Sequence, residues 1–474
     1  MSKRVPYSLT DKFLVFWIIC GLLLRIDSVF TNNPMTTVAY VSDCMRHWDH
    51  AKDTLNFSPS VLFDPIVYQS WMSLVQKFCL ADPTLAAIYG ALLSLSCPLA
   101  WGYFFKELPL GRTLRLFGMC LIAFLPTWIG IYSYFMQETL FLPLLGLAFG
   151  LSWRALRKND LHSFLLVVFV WILTGLTRGV GIPMAAVTVS TLWFVQKGKL
   201  PRAIYSTLIL ALILGPLALR SHTFCGLWSP HGSGVFNKLY CISGKQRVEM
   251  HLSRDGAGWY YIYESPMMRA YPFKELAELL PPKEDPNAPD SAFRQKVLEL
   301  SRWTTARQDA LVLNVDLRKG MTDWNTAAAG IELTFDQRCR WIKENLLCMF
   351  FGASWPDDNP AFYFDHLAVY TRWFWLPLFI VVFALLLFRW KHIGFSGYLI
   401  SANVLFWLYI QCFSLVVINE GRYRKPLEGL LITLILILIA TWKSKTPDKK
   451  PADAPSELPK AAKPEEQTGE YYAI

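Results

Sequence analysis

The sequence predicts an all-α polytopic membrane protein of about ten transmembrane helices, carrying a soluble helical or mixed α/β insert. Three observations lead there. Of 474 residues, 53% are hydrophobic and 15% aromatic, and the mean hydropathy is +0.30. Charged residues make up only 17%, against about a quarter in an ordinary soluble domain. The apolar residues come in long runs separated by short basic loops, the pattern of a chain that crosses a bilayer repeatedly. The net charge of +10 does not point to nucleic acid, because Lys and Arg are dispersed between the apolar runs as membrane topology requires.

The N-terminal module, 1–220, opens with Lys3, Arg4 and Lys12 and then a first span at 13–29. The apolar run within that span leads to Arg25, Ile26 and Asp27 rather than a small-residue cleavage site, so it reads as a retained helix. A long polar and aromatic loop covers 30–83, and within it 65–79 reads as an amphipathic helix suited to the interface. Further spans are expected at 84–105, 113–132, 139–156, 163–177, 180–196 and 203–220. The stretches 163–177 and 180–196 are short and joined by Arg178-Gly179, which suggests a hairpin tip or a broken pair. An extracytoplasmic insert fills 221–368. Three spans follow within 369–442, at 371–389, 395–418 and 426–442. The Lys-, Pro-, Ala- and Glu-rich tail, 443–474, reads as a disordered cytoplasmic segment.

With ten spans and an inside N-terminus, the inside loops hold Lys106, Arg112 and Arg115; Arg154, Arg157 and Lys158; Lys197, Lys199 and Arg202; and Arg389 and Lys391. This obeys the positive-inside rule. Arg178, Arg422, Arg424 and Lys425 are the exceptions, basic residues on the other face that topology does not explain. Of ten cysteines, none falls in an inside loop, and Cys225–Cys241 and Cys339–Cys348 are the short-loop disulfide expectations.

The outside face therefore gathers the chemistry. It holds Asp43, Glu138 at the head of a span, Arg178, and Arg422 and Arg424 flanking Tyr423. An acid can take a proton from an acceptor hydroxyl. Arginines bind phosphate through a planar fork and stabilise charge growing on a departing phosphate. Plainer roles exist for each: Asp43 as a helix N-cap, Glu138 as a favourable charge at a helix start, Arg178 reaching to headgroups. Asp49 is the second choice of base and Asp27 the third. The His47, Trp48, Asp49, His50 cluster lacks a clean i, i+4 ligand pair with a supporting carboxylate, so no metal site is assigned; a divalent metal cofactor is compatible with the sequence but not required by it. Phosphate loops, nucleophile elbows and CxxC pairs are missing.

Four phrases carry a family resemblance: Ser42-Asp43 in the first outside loop with Phe63-Asp64-Pro65-Ile66-Val67-Tyr68 behind it; Glu138-Thr139-Leu140-Phe141 leading to Arg154-Ala155-Leu156-Arg157; Leu176-Thr177-Arg178; and Arg422-Tyr423-Arg424-Lys425-Pro426-Leu427-Glu428. In order and common face the chain resembles the GT-C glycosyltransferases, nearest the bacterial protein mannosyltransferase and aminoarabinose transferase branch. The resemblance spans about 1–200 and 370–442. It implies a GT-C-like fold in the inner membrane, a site facing the periplasm, and inverting transfer of a sugar from a polyprenyl-phosphate donor to a lipid, glycan or protein. Asp43 would be the base or hold the acceptor, with Asp49 beside it. Glu138 would shape the site or a metal position. Arg178, Arg422, Tyr423 and Arg424 would meet the lipid phosphate. The mannosyltransferases carry an acidic pair in the first loop, whereas here Cys44 follows Asp43. The 221–368 insert matches no part of that pattern. Two other classes compete: a transporter or flippase of a lipid-linked sugar, disfavoured by the lack of internal repeats, and a non-enzymatic assembly scaffold, which leaves the wrong-side arginines unexplained.

Overall fold

The computed structural model describes residues 7–37, 42–52, 64–79, 81–225, 228, 230, 335, 339, 342, 346, 349–351, 363–413 and 421–442, with the side chains of 37, 42, 43, 224, 225, 363–366, 368, 369, 412 and 413 excepted. Among them the secondary structure is helical, with no strand. The expectations for the folded insert and the tail fall outside the described residues. So does the Cys225–Cys241 pairing. The Cys339–Cys348 pairing likewise lies outside them through Cys348, and Cys339 itself is exposed.

α1 (Leu9–Thr31) starts with a reciprocal cap: Ser8 Oγ accepts from the Asp11 N–H at 3.0 Å, and Asp11 accepts from the Ser8 N–H at 3.2 Å. Two orphan N–H groups of the first turn are satisfied that way. A short α2 (Pro34–Thr37) follows, then α3 (Ser42–Ala51) and α4 (Ile66–Cys79), which pack on each other. α5 (Pro83–Glu107) is capped by Asp82, whose carboxylate accepts from the N–H groups of Thr84 and Leu85 at 2.7 and 3.0 Å. Pro83 sits at its first position, where the missing N–H is no loss.

α6 (Arg112–Phe124) meets α7 (Pro126–Gly130) at a 62° bend. Pro126 has no N–H to continue the ladder, and its ring opposes a straight helix. The bend leaves carbonyls without helical partners inside an apolar bundle. Arg25, wholly buried on α1, supplies the missing donors: Nε donates to Ala123 O at 2.9 Å, Nη2 to Ile122 O at 2.7 Å, and Nη1 to Trp128 O at 2.8 Å. The stretch expected as one span, 113–132, is thus a broken pair, and the charge inside the first span is what its break needs.

α8 (Glu138–Lys158) ends at Asn159 in the left-handed conformation, φ 52°, a backbone state that Asn tolerates at helix ends. Asp160 then caps α9 (Leu161–Thr177) by accepting from the Ser163 N–H at 2.7 Å. α9 and α10 (Gly181–Val195) are two separate helices packed together. α11 (Lys199–Cys225), α12 (Tyr363–Phe388), α13 (Gly394–Phe413) and α14 (Lys425–Trp442) complete the bundle, with a 3₁₀ turn, Gly421–Arg424, leading into α14.

α8 lies against α5 and α9, and α14 against α6, α12 and α13. The apolar windows of α8 and α14 are each 72% buried, against 6% for α11; the first two are central, and α11 turns Ile204, Leu208 and Leu212 outward. Trp101 of α5 locks the centre. A Cβ on Gly429 would come within 2.4 Å of its ring and one on Gly146 within 2.7 Å, so α8 and α14 each close on the Trp101 ring only because both positions are glycine. Its Nε1 donates to Leu142 O at 3.1 Å.

Among the described residues six helices are long and apolar enough to cross a membrane, or seven if the bent pair counts as one span. The chain is therefore built for membrane insertion. α9 and α10 are apolar but shorter, at 17 and 15 residues. The amphipathic stretch expected at the interface, α4, buries Tyr68, Gln69, Met72 and Val75 in a small core with Ala51 and Phe135, while Leu74 and Phe78 stay exposed.

Candidate functional site

The up-and-down course of the helices brings the start of α8, the end of α9 and the entry to α14 to one end of the bundle, beneath the α3–α4 pair. A helix start favours an acid and a helix end favours a base. Glu138 is the first residue of α8 and Arg178 is the C-cap of α9. Because these helices are adjacent and antiparallel, the two side chains meet.

Glu138 is fully buried, and Arg178 nearly so. Arg178 Nη1 lies 2.6 Å from Glu138 Oε1, and Arg422 Nε lies 3.9 Å from the same oxygen. The Arg178 guanidinium also stands 4.8 Å from the centre of the Tyr423 ring, and that of Arg422 stands 5.7 Å from it, within cation–π range. Four residues singled out from sequence, Glu138, Arg178, Arg422 and Tyr423, therefore form one cluster from three distant parts of the chain. Its formal charge is one positive in excess. Neither carboxylate oxygen of Glu138, nor Nη1 or Nη2 of Arg178, makes a hydrogen bond of ordinary geometry among the described residues. Buried polar atoms in a native fold are almost always satisfied; with Nη1 held in the ion pair to Glu138, Nη2 of Arg178 is donor capacity not spent among the described residues, beside a net positive charge.

Arg424 is elsewhere. Its side chain is fully buried, with Nε 2.8 Å from Glu428 Oε1 and Nη1 donating to Phe350 O at 2.6 Å and Met349 O at 3.2 Å. Thr127 Oγ1 donates to the other Glu428 oxygen at 2.5 Å, and Lys425 Nζ donates to Thr127 O at 2.7 Å. The expected Arg422/Arg424 clamp is thus split. The physical reason is the 3₁₀ turn: with three residues per turn, side chains two apart point in different directions, and only those three apart align. Arg422 turns to Glu138, and Arg424 ties the start of α14 to α7 and to 349–350.

Asp43 is the second residue of α3 rather than its N-cap; its side chain is not among those described. Asp49 is exposed and paired with Lys52 at 3.2 Å, and Asp27 is exposed on α1. The buried acid of the loop is one that sequence reasoning passed over: Asp64, just before Pro65 and α4. It accepts from Arg46 Nε at 3.2 Å, lies 3.6 Å from His47 Nδ1, and is hydrogen-bonded to His50 Nδ1. Burial would raise its pKa, but the His50 hydrogen bond and the nearby His47 and Arg46 outweigh that and hold it below the usual carboxylate value. The available signal was Arg46, His47 and His50 at i, i+1 and i+4 of a helix with a following acid. Metal-ligand groups of three or more His, Cys, Asp or Glu are absent among the described residues.

Tyr68 joins the two regions. Its ring meets His47 edge-on at 5.0 Å between centroids. Burial first, then the nearby Cys44, Glu138 and Asp64, push its hydroxyl well above the ordinary phenol value, so it stays protonated. Tyr68, Trp71, Tyr89, Tyr132 and Phe135 line a small cleft that also reaches Thr139, next to Glu138.

No protein-family model, curated protein or solved structure matches this chain.

Proposed function

We propose that the protein is an integral membrane glycosyltransferase, of the GT-C type with ten spans, that moves a sugar from a polyprenyl-phosphate donor to a hydroxyl acceptor with inversion. The observation that carries this reading is the convergence of Arg178 and Arg422 on one buried carboxylate, with Arg178 Nη2 making no hydrogen bond among the described residues. A phosphate entering there would take up that capacity, and the arginines would stabilise the charge that grows as the sugar–oxygen bond breaks. Glu138 holds Arg178 in place, and Tyr423 offers its ring to both cations. The base comes from the first loop, where Asp43 is the sequence candidate.

An embedded site suits a donor that is itself a lipid. The inner membrane and a periplasm-facing site belong to the same reading, supported by the basic residues at the opposite end of the bundle. The test is incubation of purified protein with labelled polyprenyl-phosphate sugars. The expected result is acceptor-dependent loss of lipid-linked label, reduced in Arg178→Ala and Arg422→Ala. Retention of all label with every donor and acceptor class would reject the reading.

A further inference from the structure

Arg422, Tyr423, Arg424 and Lys425 are consecutive, yet they divide between two tasks. Arg422 Nε lies 3.9 Å from Glu138 Oε1, and the Tyr423 ring centre stands 4.8 Å from the Arg178 guanidinium. Arg424 and Lys425 are fully buried and bound to other parts of the chain. Arg424 Nε meets Glu428 Oε1 at 2.8 Å, and its Nη1 donates to Phe350 O at 2.6 Å and Met349 O at 3.2 Å. Lys425 Nζ donates to Thr127 O at 2.7 Å, while Thr127 Oγ1 donates to Glu428 Oε2 at 2.5 Å. Glu428 is the centre of this second set, since each of its oxygens takes a donor from a different element.

The two sides of the turn are not held equally. A contact of 3.9 Å is longer than a hydrogen bond, and a cation over a ring tolerates many orientations. A four-residue 3₁₀ turn also has poor hydrogen-bond geometry of its own. The cluster side therefore does little to fix where Arg422 sits. The Glu428 side is made of short, charge-assisted bonds, and its base is fixed in turn. Thr127 precedes Trp128, whose carbonyl accepts from Arg25 Nη1 at 2.8 Å. A Cβ on Gly429 would come within 2.7 Å of the Trp128 ring, so α14 starts in close contact with α7.

We propose that Glu428 is a positioning residue of the phosphate site. Through Arg424 and Thr127 it sets the 3₁₀ turn so that Arg422 and Tyr423 face Glu138 and Arg178. The role rests on the glycosyltransferase reading, in which Arg422 meets the donor phosphate.

The experiment is a double-mutant cycle on donor affinity, read by titrating the full-length protein with a labelled polyprenyl-phosphate sugar. Arg422→Ala alone should weaken binding by roughly 10- to 150-fold, the loss of one charged donor. Arg424→Met combined with Glu428→Leu removes the anchor and keeps the volume apolar. It should weaken binding by about 10-fold or more, the lower end of that range, while its melting midpoint stays near wild type. Placed in the Arg422→Ala background, the same pair should cost nothing further, a result that general loss of structure would not give. Donor binding equal to wild type in the folded pair overturns the positioning role and leaves the glycosyltransferase reading intact. An equal loss with and without Arg422 does the same. If the pair does not fold, Thr127→Val removes one partner of Glu428 at constant size and should show the same dependence on Arg422; wild-type affinity in that variant overturns the role. Wild-type protein that binds no polyprenyl-phosphate sugar overturns the parent reading and the positioning role with it.

Discussion

Arg422→Ala and Arg424→Ala, two positions apart, should fail in different ways. The Arg424 side chain is 0% exposed and is bound to Glu428, itself 0% exposed, and to two carbonyls. Truncating it leaves Glu428 with Thr127 as its remaining partner among the described hydrogen bonds and orphans the Met349 and Phe350 carbonyls. Breaking one side of a buried pair costs about 3–5 kcal/mol, a large part of the roughly 5–15 kcal/mol that holds a domain together. Arg422 is different. Its side chain is 12% exposed and 3.9 Å from Glu138, and Arg178 still neutralises that carboxylate at 2.6 Å when Arg422 is gone. The fold should survive, and the loss is one charged donor to the phosphate, about 1.5–3 kcal/mol, or roughly 10- to 150-fold in donor affinity. Thermal melting followed by size-exclusion chromatography reads the first effect, and titration with a polyprenyl-phosphate sugar reads the second. Arg424→Met combined with Glu428→Leu should return most of the lost stability, since an apolar replacement of a buried pair is often neutral. An Arg424→Ala protein that melts like wild type but loses donor binding, or an Arg422→Ala protein that unfolds, would refute this division.

Arg25→Leu should destabilise the bundle by about 3 kcal/mol, because three carbonyls around the α6–α7 bend lose a charged donor in an apolar setting, Ile122 O keeping only the long Leu125 N–H contact at 3.4 Å; Arg25→Lys should recover only part, lacking the fork, and a melting midpoint equal to wild type in either variant would contradict the account. The α3–α4 pair should loosen in acid. Asp64 has a folded pKa below its unfolded one, so its contribution is present above the ordinary carboxylate value of 3.8 and is lost as pH falls through the lower folded value. Hydrogen exchange over 44–52 should rise below about pH 4 in wild type, and Asp64→Asn should show the raised exchange already at neutral pH. Reporter fusions at Gly198 and Gly232 should give opposite signals, and matching signals would undo the shared outside face of Glu138, Arg178 and Arg422.

The apolar runs were legible because helix-length hydrophobicity is a local property, and every expected stretch of the membrane part coincides with a helix or the bent pair. The cluster of Glu138, Arg178, Arg422 and Tyr423 was legible for another local reason: each marks the end of an apolar run, and counting runs assigns ends to faces. What stayed hidden depends on geometry within a turn or across the chain. Arg25 finds its carbonyls 97 to 103 residues away, and only the bend at Pro126 makes them available. The split of Arg422 from Arg424 depends on a 3₁₀ turn where a sequence reading has no reason to prefer it. Asp64 was hidden because its partners precede it across the loop.

The two ends of the bundle use their buried polar groups differently, and that contrast bears on where chemistry occurs. At the end of α8, Gln196 Nε2 donates to Ala155 O at 2.6 Å, and Arg202 Nη2 donates to Asn159 O at 2.9 Å. Those side chains finish a helix terminus, a structural task. Arg178 also stands at a helix terminus, yet it spends neither Nη1 nor Nη2 on a hydrogen bond among the described residues. It is held by Glu138 through charge alone, and by the Tyr423 ring. Arg25 spends Nε, Nη1 and Nη2 on carbonyls at the α6–α7 bend, and the structural Arg202 and Arg424 each leave one nitrogen without a hydrogen bond among the described residues, whereas Arg178 leaves both Nη1 and Nη2. Arg178 keeps donors in reserve at the end of the bundle where a second arginine and a carboxylate also converge. An anion that arrives there meets groups already desolvated and already aimed, and its binding needs little reorganisation of the protein.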